Sequence, residues 1–149
     1  MPGAVSYARA NDPHTGLDVT VAIGTITRAE MFEHVREQVA DPCWPIGQAS
    51  LSDFRLVEAL DINPEDLRDA AALYGPKAEA IAHHKTAYLR SPAFRGDAVL
   101  GRQFEEQYGI GPVPFDDLQS ACEWLGVEPT IAERLIAQLR VELGVPISE

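Results

Sequence analysis

The residues best suited to catalysis are Ser52, Asp53, His83 and His84, but their spacing argues against the two chemistries they suggest. An α/β serine hydrolase needs a Gly-x-Ser-x-Gly turn, which the chain lacks, and adjacent Ser and Asp side chains on a strand point to opposite faces. Adjacent histidines on a strand diverge in the same way, so they do not hold one metal ion. We therefore predict no catalytic residues, no metal and no cofactor, and favour a protein that is not an enzyme.

The segment 83–102 is the basic part of an otherwise acidic chain, because it holds four basic residues and one acid in a protein of net charge −11. Such segregation creates a local positive potential. We predict a site for a small anion there, with Arg95 and Arg102 as contacts and His83 as a hydrogen-bonding wall. Asp53 is added as a polar contact at the carboxyl end of a predicted strand, where open α/β sheets bind ligands. In the alternative interpretation these arginines pair with surface acids, and Asp53 caps a loop.

The elements that must position these residues begin with a hairpin. Residues 5–10 are predicted as a strand, residues 11–16 are typical of a turn, and apolar residues then alternate from Leu17 to Ile23. Thr27 and Glu30 have the spacing of a capping box, which predicts a helix that ends at Asp41. Asn63 before Pro64 predicts the start of a second helix.

The rest of the chain alternates in the same manner. Strands are predicted at 48–54, 77–84 and 112–115, and residues 86–96 are predicted to be irregular. Pro112 and Pro114, two residues apart, remove N–H donors from the same edge, which predicts an edge strand. A third helix ends at Gly109, Asp116 with Gln119 caps a fourth, and Thr130 with Glu133 opens a fifth. The order predicts an α/β fold: a single-domain mixed sheet of four to five strands, with an antiparallel N-terminal hairpin followed by parallel crossovers.

Several of these segments resemble the SpoIIAA-like (STAS-like) family of small bacterial α/β domains, over about residues 5–125. The resemblance rests on five segments: the strand that ends at Gly24 with Thr27-Arg28-Ala29-Glu30 after it, Leu51-Ser52-Asp53-Phe54-Arg55, Ala80-Ile81-Ala82 as the central strand, Gly101-Arg102-Gln103-Phe104-Glu105, and Val113-Pro114-Phe115-Asp116-Asp117-Leu118. It implies a sheet packed by helices and implies no established activity. The regulatory members carry a phosphorylatable serine after a central strand, whereas here Phe54 follows Asp53, so that switch is absent.

Composition excludes several classes of protein. A chain of 149 residues that is 46% hydrophobic is large enough for one core and too apolar to be disordered. The strong acidic balance argues against nucleic-acid binding, and no apolar run approaches the roughly 20 residues of a membrane helix. Cys43 and Cys122 are far apart and fit reduced core thiols. We expect a cytoplasmic protein that binds no membrane.

The C-terminal residues 127–149 are predicted to be a helical extension packed on the domain of residues 1–126. Residues 121–131 resemble a helix-turn-helix, but Glu128 and Glu133 oppose contact with phosphates. The last predicted helix has a broad apolar face, which favours a homodimer, although the same face is also suited to covering the sheet. Its residues are Ile131, Ala132, Leu135, Ile136, Leu139 and Leu143.

We therefore expect a binding or regulatory domain without catalytic machinery that recognises a small anionic or amphipathic ligand or a protein partner. One alternative is a small-molecule enzyme or carrier that uses a cleft near Asp53 and Arg102. The other is a DNA-associated regulator that uses the C-terminal helical hairpin.

Overall fold

A computed structural model describes residues 7–42, 44, 49–92, 99–109 and 111–146. It confirms the predicted α/β fold, with a five-stranded mixed sheet between two layers of helices. The elements are β1 Tyr7–Asp12, β2 Leu17–Thr27, α1 Arg28–Ala40, β3 Ala49–Asp61, α2 Pro64–Ala72, a 3₁₀ turn Gly75–Lys77, α3 Ala78–Ile81, β4 Lys85–Leu89, α4 Val99–Tyr108, β5 Val113–Phe115, α5 Leu118–Leu125 and α6 Pro129–Glu142.

The strands lie in the order β1-β2-β3-β4-β5, with β1 antiparallel to β2 and the other pairs parallel. Among the described strands β5 pairs with β4 alone, so it lies at the margin of the sheet, as its proline spacing predicted. This confirms the edge-strand prediction, because a strand without N–H donors on one edge ends a ladder there.

The β2–β3 pair extends beyond the rest of the sheet. It runs from Leu17 opposite Ala49 to Thr27 opposite Asp61, whereas β1 leaves β2 at Ala22 and β4 leaves β3 at Asp53. Within the described part of the chain, the extension, 23–27 with 56–61, is therefore a two-stranded ribbon. Its register shifts twice, and Gly24 has a φ of 71°, a left-handed conformation that glycine adopts without a Cβ clash.

The first two helices leave this ribbon directly, and both carry the caps that the sequence predicted. The Thr27 hydroxyl accepts from the Glu30 N–H at 3.2 Å, and the Glu30 carboxylate accepts from the Thr27 N–H at 3.2 Å. Asn63 and Asp66 make the same reciprocal pair at the start of α2. These caps satisfy backbone donors that a helix start otherwise leaves free.

Two predicted caps are wrong. Asp117, not Asp116 with Gln119, caps α5, by accepting from the Ser120 N–H at 2.8 Å. Asp116 instead pairs with Arg90. The cap of α6 is Glu128 rather than Thr130, and its side chain makes no capping hydrogen bond. Proline at the first helical position removes one of the N–H donors that such a cap would satisfy.

The predicted fourth strand is also misplaced. Residues 77–84 contain the end of the 3₁₀ turn, α3 and the turn that follows it. The strand is β4, Lys85–Leu89, and all of it except Lys85 lies in the stretch predicted to be irregular. Ala80-Ile81-Ala82 is therefore helix and turn rather than the central strand of the family resemblance. Alanine favours helix, whereas Thr86 and Tyr88 have the β-branched and aromatic side chains that favour strands.

One face of the sheet is closed by α5 and α6. Its core includes Leu17, Val19, Leu51 and Leu89, each fully buried against the two helices. The apolar face of α6, including Leu139, packs into this core. The prediction of a homodimer loses its support, since that face is used within the chain. The division into residues 1–126 and 127–149 remains a prediction.

Candidate functional site

The opposite face of the sheet, towards α1 and α2, is polar although it is covered. Strand alternation turns every second side chain of β2, β3 and β4 to this face. Parallel strands covered on both sides are normally apolar on both faces, so a covered polar face is unusual. Two cross-strand rows of side chains line it, Asp18–Ser50–Thr86 and Thr20–Ser52–Tyr88.

A cavity of about 160 Å³ lies between this polar face and the helices. It is left open because both of its sides present small residues, Ser and Thr from the strands and Ala70 and Ala71 from α2. Close-packed interiors leave few voids of this size, so small residues that face one another across a gap create a defined space. The floor of the cavity offers hydroxyls, and the α2 side offers apolar surface.

Aromatic rings form a large part of the remaining wall. Trp44 and Tyr74 pack with centroids 5.3 Å apart, and Phe54 packs on Tyr88 at 5.9 Å. Tyr74 donates a hydrogen bond to Gln38 of α1, so the phenol is positioned by a second lining residue. Rings of this kind present large, rigid apolar surfaces to a bound molecule.

Asp18 of β2 is the acid of the cavity. Its side chain is 3% exposed, and its Oδ1 lies 4.0 Å from an Arg9 nitrogen and accepts no hydrogen bond from any described residue. Burial raises the pKa of Asp18 to about 6, although the charge of Arg9 and the side chain of Trp44 oppose this. A buried carboxylate oxygen without a hydrogen bond is costly, so Oδ1 marks a site that a ligand can complete.

Two histidines, His34 and His84, line the same cavity and have different neighbours. The His34 ring stacks on Tyr7 with centroids 4.3 Å apart. Burial lowers the pKa of His34 to about 3, with Arg9 acting in the same direction, so its imidazole is neutral at physiological pH. His84 Nε2 lies 2.6 Å from Ser50 Oγ, within hydrogen-bond distance. The lining of the cavity therefore contains one carboxyl group, that of Asp18, and two imidazole rings that add polar surface to its wall.

Asp53 lies inside β3 rather than at its carboxyl end, and on the sheet face opposite the cavity. It is fully buried, and accepts hydrogen bonds from Arg55 Nε at 2.9 Å and from Arg140 of α6 at 2.8 Å. Burial alone raises the pKa of Asp53, but the hydrogen bonds and charges of the two arginines outweigh it and hold the pKa below its usual value. Ser52 points to the cavity, so the two neighbours diverge as strand geometry predicted.

The structure does not bring His83 or Arg102 together with Asp53. His83 is exposed in the turn after α3, and Arg102 is exposed on α4, which packs against α2 on the cavity side of the sheet. Arg95 lies outside the described residues. The anionic site of segment 83–102 therefore remains a prediction.

Two basic residues of that segment are paired within the chain. Arg90 binds Asp116 through two nitrogens, the shorter distance being 2.8 Å. Lys85 donates to the Trp124 carbonyl at 3.0 Å, with its nitrogen 5.0 Å from the centre of that ring. The Arg90–Asp116 pair is of the kind that the alternative interpretation expects, in which the arginines pair with surface acids.

Sequence reasoning named two of the cavity residues, Ser52 and His84, without predicting the cavity, and it missed Asp18 and Thr20. These two residues alternate with Leu17, Val19 and Val21, and the apolar residues alone predict a strand with one buried face. The signal lies in combining two predictions: a parallel sheet with helices on both faces has no solvent-facing side, so a polar alternation in it predicts a buried polar surface.

The described residues show no group of three or more His, Cys, Asp or Glu side chains placed to hold a metal ion. Of the two cysteines, Cys122 is a buried free thiol, and Cys43 lies outside the described residues. In the described part of the chain, no helix has the length and apolar character needed to cross a bilayer.

No protein-family model and no curated protein matches the sequence. Among solved structures, the chain is similar to an uncharacterized protein of the DUF3478 family with a SpoIIAA-like fold from Shewanella loihica PV-4. The identity is 15%, the match covers 80% of this chain and 94% of that one, and the TM-score is 0.49. The fold named for that structure is the one that the sequence motifs resemble.

Proposed function

We propose that this chain is a binding domain that takes a small amphipathic molecule into the cavity between β2, β3 and β4 and the helices α1 and α2. The observation that carries the proposal is the covered polar face of the sheet. Helices cover Asp18, Thr20 and Ser50 and yet leave a space beside them instead of packing onto them. A fold that needed only stability is expected to fill this face with apolar side chains.

The size of the cavity limits the ligand. A cavity of roughly 150 Å³ with apolar walls holds a molecule the size of benzene, and the volume here is about 160 Å³. The hydroxyl floor and the aromatic wall together favour a compact ring or short chain that carries one polar group. Concave, mostly apolar sites with a few placed polar groups are the usual form of small-molecule sites.

Filling the cavity tests this proposal. Benzyl alcohol is the probe, because it combines a ring of suitable size with one hydroxyl. At ten times its Kd, it should stabilise the wild-type chain against thermal unfolding by about 1.4 kcal/mol. Calorimetric titration measures the Kd itself.

The variant Ala71→Leu places a larger side chain in the cavity and should abolish binding. Ala72→Leu is the matched control, because Ala72 is the exposed neighbour on the same helix, and this variant should bind as the wild type does. Equal binding by both variants, or no binding by the wild type, would contradict the proposal.

A second candidate function, an enzyme acting on a small molecule, is favoured by one observation. Ser50 Oγ and His84 Nε2 are 2.6 Å apart, a distance at which imidazole can remove a hydroxyl proton. A fluorophosphonate reagent tests it, because such reagents label activated serines. Labelling of the wild type that disappears in Ser50→Ala, and persists in Ser52→Ala, supports this second function, and an unlabelled wild type removes it.

A further inference from the structure

The charged side chains that line the cavity are acidic rather than basic. Among the described lining residues, Asp18 is the single carboxylate, and neither Lys nor Arg occurs. His34 adds no positive charge at physiological pH, because burial lowers its pKa to about 3. The lining therefore offers one carboxylate and, among its described residues, neither a lysine nor an arginine that could pair with an anionic ligand.

The nearest cation outside the lining does not neutralise Asp18. Arg9 of β1 approaches Asp18 Oδ1 only to 4.0 Å, and its nearer partner is Asp41, with the Arg9–Asp41 nitrogen–oxygen distance at 3.5 Å. One guanidinium is thus shared by two carboxylates, which leaves a net charge of about −1 when both are ionised. Asp18 is the member that is buried and lacks a hydrogen bond at Oδ1.

The aromatic wall also favours a cation. The rings of Tyr7, Trp44 and Tyr74 line the cavity that Asp18 lines. The face of an aromatic ring attracts a positive charge, most strongly where water is excluded. A carboxylate and several rings around one space form the combination that recognises protonated amines.

We propose that the cavity selects an organic ammonium ion, a protonated amine on a compact apolar body, with the ammonium group donating to the Asp18 carboxylate and the rings enclosing the body. This inference rests on the proposed binding function and names the class of its ligand. It differs from the prediction of an anionic ligand, which used residues outside the cavity.

Three probes of matched shape test the inference at about pH 7.5: benzylamine, benzyl alcohol and benzoate. They share a ring and differ in head-group charge. Calorimetric titration should show benzylamine binding at least tenfold more tightly than benzoate, with benzyl alcohol between them. In Asp18→Asn the preference for benzylamine over benzyl alcohol should disappear.

The control is Asp69→Asn, the same substitution at an exposed position of α2, which should leave all three affinities unchanged. Equal binding of the three probes, or an unchanged preference in Asp18→Asn, would overturn the inference and leave the binding function standing. Failure of benzyl alcohol to bind the wild type would instead contradict the binding function itself.

Discussion

Asp53 and Asp18 are buried on opposite faces of the sheet, and their carboxylates have opposite surroundings. Asp53, towards α5 and α6, receives hydrogen bonds from Arg55 and Arg140, and its pKa lies below the usual value. Asp18, towards α1 and α2, has an Oδ1 without a hydrogen bond, and its pKa rises to about 6. Both carboxyl groups are buried, so the difference between their pKa values comes from their hydrogen-bond partners. The carboxylate of Asp53 is satisfied by two arginines, whereas Oδ1 of Asp18 has no hydrogen bond and lies beside a cavity.

The largest effect is expected at Asp53. Asp53→Asn leaves Arg55 and Arg140 without their shared carboxylate and should lower the free energy of unfolding by about 3 kcal/mol at pH 7. Because the folded-state pKa is lowered, the contribution of Asp53 is present above its ordinary pKa of 3.8 and disappears as the pH falls through the folded value. Urea unfolding measures it, with Asp69→Asn as control, and a loss below about 1 kcal/mol would contradict this account.

Replacing one alanine by leucine on each face of the sheet compares how tightly the two faces are packed. Ala121 is fully buried in the α5 side of the sheet, so Ala121→Leu should overpack that core and cost about 2 kcal/mol. Ala71→Leu extends into the cavity and should change stability by less than about 1 kcal/mol. Thermal unfolding of the two variants checks the prediction, and equal losses would mean that both faces are packed alike.

Asp18→Asn should act with the opposite sign to Asp53→Asn. A carboxyl whose folded pKa is raised favours folding below 3.8 and loses that contribution as the pH rises through about 6. The variant should therefore match the wild type near pH 4 and exceed its stability by about 1 to 2 kcal/mol at pH 7. The charged groups of this region are Arg9 and Asp41, which both proteins share, and His34 stays neutral above about pH 3. Unfolding curves across this range measure the difference, and a wild type more stable than Asp18→Asn at pH 7 would refute it.

The smallest effect is expected outside both faces. Arg90→Gln removes the ion pair with Asp116, whose side chain is 74% exposed, and should cost less than about 1 kcal/mol. Raising the salt concentration should reduce the difference further. Denaturant unfolding at two salt concentrations tests this. A larger, salt-independent loss would show that this pair belongs with the buried ion pairs of Asp53.

Local signals predicted the framework well. The boundaries of α1 and α2 follow from Thr27, Glu30 and Asn63, whose side chains satisfy backbone donors next to them in the chain. The marginal position of β5 follows from two prolines. These features depend on a few adjacent residues, so the sequence contains all the information that they need.

The misplaced strand and the missed cavity depend on contacts between distant parts of the chain. Residues 77–84 and 85–89 are both apolar enough for a strand, and pairing with β3 decides between them. The strand pattern alone predicts that Asp18 faces solvent, and only the packing of α1 and α2 over β2 buries it. Its 3% exposure is a property of the assembled layers and not of the strand pattern.

The two-stranded ribbon has a consequence for the cavity above it. Both covering helices begin where the ribbon ends, α1 after Thr27 and α2 two residues after Asp61, and Arg28 joins them through Asp66 at 3.1 Å. A ribbon of two strands twists more freely than a wide sheet, and its register shifts increase that twist. Because both helices start from this ribbon, its twist helps to fix the distance between α2 and the polar floor. The volume of the cavity therefore depends on the ribbon as well as on the side chains that line it.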